Sequence, residues 1–275
     1  GLAGDSDQRG DEAVITSGLS IAADGVTTDG VQVENPATNG IRFGPGTVAS
    51  NVTIQNTVVT NVTGGEFLKS GSPAGAANGI QFQYNNGAPE GETADNIVIE
   101  DNLITDLSTP DTNARTTTGG INVLPRGNDV DLTIRDNTIT GLEAGISENS
   151  EERVRGINID TQDDAKNGSG RADGVVIEGN TINDLTAVGD DTGRVKAIQL
   201  TEDGSLDPRE GVKNFQITNN EFDNLDGDGL YQQTAVFIGG YEDLGANHEI
   251  SENNLNGNTI VRFSDDQEGF TRSNA

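Results

Sequence analysis

The chain has 275 residues with 45 acidic against 16 basic, and a formal net charge of −29 excludes partners recognised through phosphate charge, nucleic acid and anionic membranes alike. Its 32% hydrophobic and 4% aromatic content is thin for a globular core, and zero cysteine excludes disulfides, thiol catalysis and Cys-type metal sites. No run of 18 apolar residues and no signal-like segment occurs, so the sequence reads as a mature or excised soluble piece without membrane insertion.

Residues 1–12 carry no strand pattern and read as a flexible N-terminal segment; 13–263 read as one domain, and 264–275 as a flexible tail. From Asn51 onward one phrase recurs: NVTIQNTVVTNV, then NIVIEDNLITDL from Asn96, DLTIRDNTITGL from Asp131, GVVIEGNTINDL from Gly174, NFQITNNEFDNL from Asn214 and a degenerate NHEISENNLNGN from Asn247. Its anchors are Ile54, Ile99, Ile134, Ile177, Ile217 and Ile250. Three residues after each anchor stand Thr57, Asn102, Asn137, Asn180, Asn220 and Asn253, and eight after the first five stand Val62, Leu107, Leu142, Leu185 and Leu225. The alternation of apolar and polar residues reads as two short strands around a turn. A third strand precedes each phrase: GIRF at Gly40, GIQF at Gly79, GINV at Gly120, GINI at Gly156, AIQL at Ala197 and AVFI at Ala235.

Three short strands per repeat bury a core only by stacking, at about 4.8 Å per rung, into continuous parallel sheets around a narrow apolar column. Such a column needs few hydrophobic residues. A half-buried Asn at the same turn of every repeat has a reason to be there, since stacked amides bond one another. The fold class is therefore all-β, a parallel solenoid of about six to seven rungs with long loop insertions and an Asn turn ladder.

The Gly-Ile strands and the Asn turn, from about Gly18 to Phe263, resemble the right-handed parallel β-helix superfamily of pectate-lyase-like proteins. That resemblance implies a right-handed coil whose ligands lie on the outer face of the Gly-Ile sheet. It leaves function open between polysaccharide lyases, hydrolases, epimerases and non-enzymatic surface proteins. Outward positions on this sheet are Arg42, Gln81, Asn122, Asn158, Gln199 and Phe237, followed by Gln83, Leu124, Asp160 and Thr201; a file of amides facing solvent suits sugar hydroxyls.

Two neighbouring rungs, ERVRGINID from Glu152 and GRVKAIQLT from Gly193, place Arg153 over Arg194 and Arg155 over Lys196. Like charges at one rung spacing are unfavourable unless anions intervene. Those anions are either Glu151, Glu152, Asp190 and Asp191 of the protein, or an acidic glycan bound beside Asn158, Asp160 and Gln199. No cofactor is required; calcium is the one candidate, with Asp160, Asp163, Asp164, Glu202 and Asp203 as hard oxygen ligands. A second calcium-like string is NLDGDGL, with Asn224, Asp226 and Asp228 at alternate positions but no distal Glu.

The sole histidine, His248, lacks a catalytic setting, and there is no Trp. The pattern therefore favours an extracellular or cell-surface β-helix module of adhesin or appendage type that binds a polysaccharide or cell-surface glycan, rather than a calcium-assisted lyase or a glycoside hydrolase. Asn-x-Ser/Thr sequons at Asn51, Asn61 and Asn167 agree with export. Lys depletion (four residues) with acids spread along the chain resembles proteins of extreme halophiles, with calcium dependence the competing explanation. Oligomerisation or end-to-end stacking stays open.

Overall fold

A computed structural model describes residues 13–43, 49–64, 76–83, 93–110, 116–125, 129–145, 152–161, 163–164, 168–169, 171–187, 193–202, 211–227, 233–239, 248–256 and 262–263, with backbone alone at 129, 163–164, 168–169, 202, 211 and 262–263. The expected flexible segments 1–12 and 264–275 lie outside these residues.

The described residues form three all-parallel sheets of seven, eight and nine strands, with no helix, an arrangement consistent with a parallel β-solenoid. The chain visits them in a fixed cycle. Thr93–Glu100 lies in one sheet (sheet C), a tight turn leads to Leu103–Ser108 in the next (sheet A), and Thr116–Leu124 lies in the third (sheet B). Each strand pairs with the strand one cycle before and one cycle after, so every coil touches only its neighbours.

The repeat phrase keeps its register in space. Ile54, Ile99, Ile134, Ile177, Ile217 and Ile250 are paired one above another, and Leu107, Leu142, Leu185 and Leu225 form a second column. In the Gly-Ile sheet, Ile41, Ile80, Ile121, Ile157, Ile198 and Val236 make a third. Together they form one contiguous buried cluster, against which the partly buried Ile250 packs at the end of its column.

The motif glycine has a packing reason. A Cβ at Gly120 would stand 2.6 Å from the Gly156 carbonyl oxygen and 2.7 Å from Cγ2 of Ile139, so glycine permits this close approach of sheet B to sheet A at Gly120, while later coils carry Ala197 and Ala235 at the same position.

The Asn ladder is present and buried. Asn102, Asn137, Asn180 and Asn220 each donate Nδ2 to Oδ1 of the next ladder residue at 2.9–3.0 Å, ending at Asn253. Each Oδ1 also accepts the backbone N–H of the ladder residue before it, beginning with Thr57. The same Nδ2 groups reach the anchor carbonyl of the preceding coil, as from Asn137 to Ile99 at 2.9 Å. Thr57 keeps one bond of its own, from Oγ1 to the Gln55 carbonyl.

Corners explain the other polar positions. Left-handed backbone (φ 48–77°) recurs three residues before the anchor (Asn51, Asn96, Gly174, Asn214), two after it (Asn56, Asp101, Asp136, Gly179, Asn219, Glu252) and seven after it (Asn61, Asp106, Gly141, Asp184, Asn224). Gly, Asn and Asp tolerate this conformation best, which is why they fill nearly every corner.

Candidate outer-face site on the Gly-Ile sheet

The strands Glu152–Thr161 and Arg194–Glu202 lie side by side in parallel, pairing Arg153 with Arg194, Arg155 with Lys196, Asn158 with Gln199 and Asp160 with Thr201. The expected cation stacking is thus met by the backbone register. All four cations are half-buried and each has an interaction partner. Lys196 places Nζ 3.4 Å from the ring centroid of Phe237, on the strand Gln233–Gly239 of the next coil. That cation–π contact stabilises the ammonium.

Of the four acids proposed as protein counter-ions, Glu151, Asp190 and Asp191 lie outside the described residues. Glu152 is fully buried on the parity of Val154, so the strand turns it away from the face of Arg153 and Arg155. Elsewhere a cation meets a carboxylate one coil back: Arg135 bonds Glu100 through Nε at 2.7 Å, and Glu100 holds the guanidinium more firmly in its charged form.

The amide file departs from the expected solvent-facing row. Asn122 is half-buried, but Asn158 is 1% exposed, Gln199 3% and Asp160 9%. Four amides form a chain across the coils: Asn78 Nδ2 donates to Asn39 Oδ1 (3.0 Å), Asn122 to Asn78 (3.2 Å) and Asn158 to Asn122 (2.8 Å). Asn78 is paired in the ladder with Gly119, not Asn122. The step between them runs diagonally past Gly119, where a Cβ would come within 3.0 Å of Asn78 Oδ1. Asn39 and Asn78 were legible as the residue just before Gly-Ile, a position then held by Gly119, Arg155 and Lys196.

Most of the calcium candidates fall outside the described side chains. Asp163–Asp164 pairs antiparallel with Gly168–Ser169 as a small two-stranded excursion. The side chains of Asp163, Asp164 and Glu202 lie outside the described set, as do Asp203 and Asp228 altogether. Asn224 sits at a left-handed corner and donates Nδ2 to Asp184 of the preceding coil, while Asp226 continues as exposed strand paired with Thr186. Within the described part of NLDGDGL, Asn224 thus joins its coil to the preceding one. No cluster of three or more His, Cys, Asp or Glu suited to a metal occurs among the described residues. His248 is half-buried, its ring 5.6 Å from that of Phe215.

No protein-family model, curated protein or solved structure matches this chain.

Proposed function

We propose that this chain is an extracellular, non-catalytic module with a right-handed parallel β-helix fold, and that the outer face of its Gly-Ile sheet binds an acidic glycan. The observation that carries this reading is the register that stacks Arg153 with Arg194 and Arg155 with Lys196 in a chain of net charge −29. Concentrating four of sixteen cations on two adjacent strands has an electrostatic cost that a bound polyanion offsets. These side chains also have protein partners, so the glycan joins or replaces contacts already made. Asn122 and Gln81, half-buried on the same face, supply neutral hydrogen-bonding groups for sugar hydroxyls.

Calorimetry in high salt tests the reading. Uronate or sulfated polysaccharide should bind the unmodified protein, and the Arg155→Ala/Lys196→Ala double variant should lose that binding. Equal binding by both proteins, or none by either, refutes it. Incubation with the bound polysaccharide should release no unsaturated sugar; release would favour the lyase reading.

A further inference from the structure

The amide chain on the outer face stops at Asn158, and the way it stops is informative. In every earlier step an amide donates Nδ2 to the coil before it, which turns its Oδ1 toward the coil after it. Asn158 follows the rule on the donor side, so its Oδ1 faces the strand of Gln199. Gln199 does not answer: its Nε2 bonds Thr201 Oγ1 on its own strand at 3.1 Å.

Asn158 Oδ1 and Gln199 Oε1 are thus both buried and accept no hydrogen bond from any donor among the described residues. They belong to directly paired residues about 4.8 Å apart at the backbone. Two buried carbonyl oxygens on directly paired residues have unmet acceptor capacity, which is costly in a low-dielectric setting. On the same face, the next paired positions are Asp160, 9% exposed, and Thr201. Every group at this spot that is unsatisfied is an oxygen acceptor.

We propose that these residues bind an alkali metal cation, held by Asn158 Oδ1 and Gln199 Oε1 with Thr201 Oγ1 and the Asp160 carboxylate at its edge. Neutral carbonyl oxygens replacing a hydration shell suit a singly charged ion, whereas calcium sites draw on several carboxylates. The Asp160 carboxylate, which also has a partner within the protein, adds negative charge at the edge of the site. The Lys196 ammonium on Phe237 limits the charge an ion can carry there. The ion fixes the amide pair and joins two central coils from outside, while the Asn ladder joins them within. The site is separate from the glycan reading, because Asn158 and Gln199 are too buried to receive a polymer.

The test uses crystals of the unmodified chain grown in rubidium chloride. Anomalous scattering should show one ion between the two carbonyl oxygens, and back-soaks in sodium or potassium chloride should show which ion displaces it. In solution, the thermal midpoint should be higher in potassium or sodium chloride than in tetramethylammonium chloride at equal ionic strength. That gap should shrink in Gln199→Met, which keeps the side chain's bulk but removes one carbonyl oxygen. The proposal is overturned if no anomalous peak appears, or if the refined structure shows Gln199 Nε2 donating to Asn158 Oδ1. In that case the two amides satisfy each other and the midpoint gap is the same in both proteins.

Discussion

Asn137, like Asn180 and Asn220, makes five hydrogen bonds through its side chain. Its one amide serves Asn180 Oδ1 and the carbonyls of Ile99 and Arg135, and its Oδ1 receives both the N–H and the Nδ2 of Asn102. Replacing it with Leu leaves several buried groups unpaired, so Asn137→Leu should lower stability by at least about 1–3 kcal/mol in urea unfolding. Asp29 shows the exposed version of the same chemistry. Bonds from Asn56 and then Gln55 hold its carboxyl below the usual carboxylate range. A depressed folded pKa means the contribution is present at neutral pH and lost as pH falls through that depressed value. NMR titration should find the Asp29 pKa raised in Asn56→Ala, toward the ordinary range but short of it, because the Gln55 bond remains.

Columns and corners govern the strands. Ile134 is fully buried and paired between Ile99 and Ile177, so truncation leaves a gap that flanking coils cannot close. Ile134→Ala should cost about 2–5 kcal/mol, measured by calorimetric or denaturant unfolding. The converse holds at the sheet junction. In Gly120→Ala the new Cβ meets a backbone oxygen and Ile139 at under 3 Å, and the variant should lose about 1–3 kcal/mol through overpacking. The columns, the Gly-Ile strands and the Asn ladder were all legible in the sequence. The first coil was not: there Thr28 pairs with Ile54 at the anchor position and Val31 stands where later coils have Thr or Asn. A polar anchor hides the phrase, although the backbone continues through it.

For the molecule as a whole, the charge of −29 dominates the response to solvent. Monovalent salt from low to molar concentration should raise the thermal midpoint steeply, because screening relieves repulsion among 45 acidic groups. If millimolar calcium produces the same rise and molar potassium chloride produces none, specific divalent sites explain the acidity instead. What the sequence by itself determined is the interior. Alternation at period 2 chooses the inward residues, and a fixed spacing from anchor to Asn to Leu stacks like on like, since each coil meets only its neighbours. What only the tertiary structure decided is the state of the outward face. Periodicity places Asn158, Asp160 and Gln199 outside the column, but cannot say that they are covered. Nor does it show that Asn78 reaches diagonally past Gly119 to Asn122, or that Lys196 lies on the ring of Phe237. Those contacts join side chains on different coils, several of them off the ladder register, and depend on packing in three dimensions that no local pattern encodes.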